Sequence, residues 1–216
     1  MIEAEKLLVE KYNLEFLKNN STRQNYLENL YTVDLLDKYL PIELKSEISV
    51  LDIGCKNWFY AKGEHSFFKK HCEALTVDGI EIDSQRLYND FYSRAEAAKF
   101  YIKGLENTKY IQGDFLNHTE KYDYLVWFLP FIFEYPHLKW GLPLKYFKPE
   151  KMLLHAYNSL NKAGRGGKIF VINQGEDEFE AQKALCEELN IPYTPVGVVE
   201  SAFLTYKYPR YLVLIG

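Results

Sequence analysis

Hydrophobic and polar positions fall into two regimes along this chain. From Ile2 to about Leu40 the apolar residues return at helical spacing, first Leu7, Leu8, Tyr12, Leu14 and Leu17, then Tyr26, Leu27, Leu30, Leu35, Leu36 and Leu40. That period predicts two or three helices, parted at Asn19–Thr22, where Ser21 or Thr22 supplies the cap of the next one. From Val50 onward short runs rich in branched side chains alternate with amphipathic ones. Strands are predicted in the run opening at Val50 and at Leu75–Ile82, Tyr110–Phe115, Tyr122–Phe133 and Lys168–Asn173. Helices are predicted at Glu64–Ala74, Gln85–Phe100, Pro149–Leu160 and Asp177–Leu189, with a turn at Gly164–Gly167. Two last apolar runs, Val196–Val199 and Arg210–Ile215, suit an antiparallel pair.

Strands that alternate with helices predict a mainly parallel sheet covered on both faces, joined by right-handed crossovers. The expected organisation is a single domain over 1–216, with an N-terminal helical cap at 1–45 and an α/β core at 46–216. The cap either covers one edge of the sheet or also walls a ligand site, with Arg23 or Tyr26 reaching in.

Composition narrows the function classes. Apolar residues make up 47% of the 216, enough for a packed interior. A formal net charge of -4 argues against general affinity for nucleic acid, whose phosphates attract basic surfaces. Three cysteines, Cys55, Cys72 and Cys186, without a C-x-x-C pair fit a reducing compartment. The start lacks the pattern of a secretory signal, and the longest apolar run, Tyr124–Phe133, is about half the roughly 20 residues of a membrane helix. The expectation is a cytoplasmic protein with no membrane span. The five histidines show no metal-ligand spacing.

The chemistry concentrates at the strand ends. Val50-Leu-Asp-Ile-Gly-Cys55 carries an acid inside a buried run and a glycine that breaks it. Glu81 follows Gly79 at the end of the second strand, and Asp114 follows Gly113 at the end of the third. In a parallel sheet these ends share one rim, where ligands of open α/β sheets bind. An acid on the second strand can accept both hydroxyls of a ribose. An acid on the third can accept from an exocyclic amine, with Phe115 offering an apolar contact to the base.

These segments resemble those of the class I S-adenosylmethionine-dependent methyltransferases. Val50–Cys55 is similar to that family's first motif, Gly79-Ile-Glu-Ile-Asp-Ser84 to its ribose-binding segment and Gln112-Gly-Asp-Phe115 to its adenine-contacting segment. Tyr122–Val126 and Leu160–Gly164 are similar to the fourth strand and the turn before the fifth. The resemblance implies a Rossmann-like fold, with a seven-stranded, mainly parallel sheet and an antiparallel last strand. It implies S-adenosylmethionine as cofactor, held by Asp52, Gly54, Cys55, Lys56, Glu81, Ile82, Asp114 and Phe115. It further implies methyl transfer to an acceptor, most simply a small molecule, in the aromatic segment Trp127–Trp140, with Glu134 or His137 as a general base.

Two departures stand out. Lys56 and Trp58 occupy places where the family has glycine, and Gly54 to Glu81 spans more than the roughly 20 residues of a compact unit. Trp58 either packs in the interior or covers the ligand, and Asp83 reads as a helix cap or first-turn charge. The alternative reading is a catalytically silent binding or scaffold protein that kept the sheet. A nicotinamide-dependent oxidoreductase ranks below both, because Gly54-Cys-Lys-Asn-Trp-Phe lacks the G-x-G-x-x-G phosphate turn.

Overall fold

The computed structural model describes residues 2–161 and 167–216, so the expected turn at Gly164–Gly167 lies, apart from Gly167, outside the described residues. Three helices come first: α1 (Ile2–Tyr12), α2 (Glu15–Asn20) and α3 (Arg23–Tyr39). Thr22 caps α3 by accepting the Asn25 amide at 3.2 Å. The core follows as β1 (Lys45–Ile53), α4 (Ala61–Lys69), β2 (Cys72–Glu81), α5 (Arg94–Tyr101), β3 (Thr108–Gln112) and β4 (Tyr124–Phe128). It ends with α6 (Glu134–Lys139), α7 (Pro149–Asn158), β5 (Lys168–Gln174), α8 (Gly175–Glu188), β6 (Tyr193–Val199) and β7 (Arg210–Ile215).

The seven strands form one sheet in the order β3-β2-β1-β4-β5-β7-β6. All run parallel except β7, which lies antiparallel to both β5 and β6. The order reverses between β1 and β4, and the crevice of an open α/β sheet opens at such a reversal.

The two-residue period of the strands divides the core cleanly. Ile48, Val50, Val77, Tyr124, Val126, Phe170 and Ile172 face a cluster built with α1, α3, α4 and Ala98 of α5. Leu51, Ile53, Ile80, Leu125, Trp127, Ile169 and Val171 face the other, built with α7 and α8. Each fully buried Leu, Ile or Phe contributes on the order of 1.5–3 kcal/mol, and these two layers hold the strand ends in register. The N-terminal helices therefore lie against a sheet face, through α4, rather than along an edge. Tyr26 donates to Glu5 at 2.9 Å on that side, and neither it nor Arg23 lines the cavity described below.

Two expected elements are shorter than predicted. The helix expected over Gln85–Phe100 is only α5, because Ser93 and Glu96 close a reciprocal capping box there. The residues before it fold into a tight turn, with the Tyr88 amide on the Tyr92 carbonyl at 2.9 Å and Phe91 at φ +67°. The fourth strand stops at Phe128 rather than Phe133. Leu129 leaves it at φ +56°, and Pro130 has no amide to continue the ladder. The chain nonetheless re-enters a helix at Glu134, because Pro136 sits in the first turn of α6, where its missing donor has no partner to lose.

Candidate functional site

Three strand ends and their loops build the rim. Beyond β1, Gly54 (φ +72°) donates its amide to the Ile80 carbonyl at 2.8 Å, which folds the loop back over β2. A Cβ at Gly54 or at Gly113 would meet nothing within 4 Å, so the backbone lies bare to the crevice at both positions. Glu81, at the end of β2, accepts the Lys56 amide at 2.9 Å on Oε2 and the Asp83 amide at 2.7 Å on Oε1. Arg94 stands 3.7 Å away. A carboxylate has about four lone-pair positions, so Glu81 retains capacity for further donors. Beyond β3, Asp114 caps a short 3-10 helix through the Leu116 amide at 3.0 Å, and the Phe115 ring meets His155 edge-on at 4.7 Å.

These groups share one cavity of about 440 Å³. Gly54, Lys56, Glu81, Ile82, Gly113, Asp114 and Phe115 line one end. The segment Trp127–Ile132, with His137, Trp140 and Phe147, forms the aromatic wall, and α7 and α8 close the far side. The hollow combines apolar walls with a few placed polar groups, as small-molecule sites do.

The loop after β1 keeps a glycine backbone without glycine side chains. Gly54, Lys56 and Trp58 have φ of +72°, +56° and +49°. A left-handed conformation costs a non-glycine residue roughly 1–2 kcal/mol, so two such residues need compensation. Trp58 finds it in full burial and in a hydrogen bond from Nε1 to Glu64 at 2.8 Å. Lys56 is held by its amide on Glu81 and by the Tyr110 hydroxyl, which donates to the Lys56 carbonyl. Its ammonium lies 4.6 Å from the Trp140 ring, whose surroundings also include Arg94 at 5.2 Å and Arg86 at 5.9 Å. Burial, with Arg94 beside it, holds the Lys56 pKa below its ordinary value.

Lys56 lines the cavity beside Glu81, so a nucleoside bound there would compete with the contact between its ammonium and the indole, worth about 1 kcal/mol. Lys56→Gly is therefore expected to tighten S-adenosylhomocysteine binding by about fivefold, read by calorimetry. Weaker binding would instead mark the ammonium as a ligand contact.

Three expected site residues fall elsewhere. Asp52 shares strand parity with Ile48 and Val50, so it points into the α3/α4 layer and away from the cavity, at 0% exposure. Its neighbours there are Glu64, Tyr60 and Trp58, and burial together with the charge of Glu64 pushes its pKa well up. Cys55 turns under the loop, fully buried, where a Cβ on Gly79 would strike its Sγ at 2.8 Å. Glu134 opens α6 on the outer surface, outside the lining of the cavity. His137 does line the cavity, buried between Phe131 at 5.3 Å and Phe147 at 5.4 Å. Its Nε2 meets the Pro143 carbonyl at 3.0 Å, so that nitrogen carries the proton and Nδ1 is the basic one. Asp83 pairs with Arg86 and Arg94 and caps no helix.

No protein-family model matches the chain, and no curated protein matches it in sequence. Its likeness to solved structures is extensive. An S-adenosylmethionine-dependent methyltransferase from Aquifex aeolicus superposes with a TM-score of 0.55 at 15% identity, over 87% of this chain and 90% of that one. A precorrin-6y methyltransferase from Geobacter metallireducens gives 0.53 at 11% identity, over 90% and 86%. Fibrillarin from Aeropyrum pernix, with natively bound S-adenosyl-L-methionine, gives 0.53 at 12%, over 86% and 74%. The fold is that of the class I methyltransferases.

Within this methyltransferase fold, two of the three rim carboxylates expected to converge do so, Glu81 and Asp114, along with both bare glycines. Asp52 does not. Sequence reading missed Glu64, the partner of both Asp52 and Trp58, and the polar positions of α8 that reach the cavity, Glu178 and Gln182. The second group left a signal: Glu178 and Gln182 stand four residues apart and so share one face of the helix.

Proposed function

We propose that the protein is an S-adenosylmethionine-dependent methyltransferase acting on a small, largely apolar molecule. The observation that carries this is the joint presence, along one cavity rim, of two backbones open to a ligand at Gly54 and Gly113 and two carboxylates at Glu81 and Asp114. The residues fit the cofactor. Glu81 has free lone pairs for the ribose hydroxyls, Asp114 has one oxygen beyond its cap for an adenine amine, and Ile82 and Phe115 offer apolar surface to the base. Gly54 allows close approach of the remainder.

Bound S-adenosylmethionine supplies a methyl group on a sulfonium, ready for attack by a nucleophile in line with it. The chain's own part is to hold the acceptor against the aromatic wall and keep water out, since positioning contributes much of the acceleration in such a transfer. Where the acceptor must lose a proton, His137 Nδ1 is the basic atom on that wall. The mainly apolar lining of the hollow and the net charge of -4 favour a small acceptor over a polyanion.

Titration with S-adenosylhomocysteine in a calorimeter tests the reading, with a saturable one-to-one isotherm as the expected result. Absence of heat from the folded protein would favour a silent binding protein, in which Lys56 and Trp140 keep the nucleoside end closed.

A further inference from the structure

Apart from the rim carboxylates Glu81 and Asp114, the lysines Lys56, Lys139 and Lys148, and His137, the polar side chains that line the cavity lie where β5 ends and α8 begins. Gln174, at the end of β5, and Glu178 and Gln182, one turn apart on α8, line that part. Gln182 is 1% exposed, and among the described residues no donor meets its Oε1; its Nε2 reaches only the Cys186 sulfur, at 3.8 Å. Glu178 engages the Gln174 amide with Oε2 at 2.8 Å, and Arg210 occupies the Gln174 side-chain oxygen at 3.1 Å. Asn173, in β5, falls by strand parity on the same sheet face as Ile169 and Val171. It is fully buried, with neither side-chain polar atom partnered among the described residues.

Folded proteins leave few buried polar groups unmatched, and each needs a cause. Here an acceptor oxygen and a carboxylate stand together at the end of the hollow away from Glu81 and Asp114. Hydrogen bonds to such groups discriminate strongly between ligands, because a ligand without the donor leaves them unpaired. Burial also raises the Glu178 carboxyl above its ordinary pKa, in keeping with a site that excludes water.

We propose that the α8 end of the cavity is the specificity end of the acceptor site, where Gln182 Oε1 and the Glu178 carboxylate receive the N–H donors of an amino group on an apolar ring compound. The word acceptor rests on the methyltransferase reading, but the binding itself needs no cofactor.

Equilibrium dialysis of the purified protein with aminonaphthalene and methylnaphthalene, which share one ring system and differ in amino against methyl, tests it directly. The wild type is expected to bind the amine about tenfold more tightly, one hydrogen bond's worth of discrimination. In Gln182→Leu the preference is expected to vanish while methylnaphthalene affinity holds or rises. Glu178→Gln, at a half-buried position that tolerates the change, is expected to reduce it about threefold and decides the matter if Gln182→Leu does not fold. A wild type indifferent to the amine, or a preference undiminished in the folded variants, would overturn the proposal. Calorimetry with S-adenosylhomocysteine on the same samples separates the two readings. Amine preference without cofactor binding removes the transferase reading alone, and the reverse removes only the α8 assignment.

Discussion

Glu81→Ala is expected to weaken S-adenosylhomocysteine binding about a hundredfold while leaving a cooperative unfolding transition. The carboxylate has two tasks, and alanine removes both. As a charged acceptor it offers a ribose two hydrogen bonds, each worth about 1.5–3 kcal/mol when one partner is ionised, and a loss of about 3 kcal/mol is two powers of ten in affinity. It also pins the loop, through the Lys56 amide at 2.9 Å and the Asp83 amide at 2.7 Å, so its loss frees the backbone that has to face the cofactor. Glu81→Gln separates the tasks. The amide keeps one acceptor for the loop but loses the charge, and a decrease of about tenfold is expected. Arg94 stays engaged with Asp83 at 3.2 Å in either variant, so the fold does not acquire an unpaired buried guanidinium. Affinity unchanged in both variants, measured by calorimetry, would remove the nucleoside from this rim.

How much of this was visible beforehand depended on which physical constraint was local. The rim segments at Gly79–Ser84 and Gln112–Phe115 are legible as strand ends because a branched run, a glycine and an acid within a few residues already state a strand, its turn and a carboxylate at the rim. Asp52 was misassigned although its parity was available. In Val50-Leu-Asp-Ile the side chains alternate, and Ile53 is the one that reaches the cavity, so Asp52 must face the opposite layer. Its partner Glu64 lies on a helix whose docking no spacing rule reveals. The helix expected from Gln85 failed for a related reason. Leu87 and Phe91 share a helical face on paper, yet they stay exposed because Ser93 starts the helix later. The α8 pair was readable as a pattern, but its meaning came only from a cavity enclosed by segments far apart in the chain.

The buried acids behind the loop should make stability fall as pH rises, and Glu64→Gln should remove the part of that fall that centres near pH 7. Asp52 and Glu64 are both fully buried, and neither Asp52 oxygen nor Glu64 Oε1 has a hydrogen-bond donor among the described residues. Burial pushes the pKa of both upward, that of Glu64 from 4.5 to about 7, with Trp58 and Asp52 acting in the opposite direction. An acid whose pKa is higher in the folded state binds its proton more tightly there. Its stabilising contribution is then complete below the unfolded value of 4.5 and is lost as pH climbs through about 7. A rise of that size corresponds to about 3 kcal/mol between mildly acidic and mildly alkaline solution. Physically, Asp52, whose pKa burial and the charge of Glu64 push well up, keeps its proton and donates it to Glu64, so one charge enters a dry site as Glu64 ionises. The carboxamide introduced by Glu64→Gln keeps an acceptor for Trp58 Nε1 and for the Asp52 proton but cannot ionise. The variant should therefore match the wild type near pH 5 and exceed it by about 3 kcal/mol near pH 8, as measured by urea unfolding. The difference between the two proteins isolates Glu64 from every other titrating group. Parallel curves across that range would mean that Glu64 does not lose its proton there.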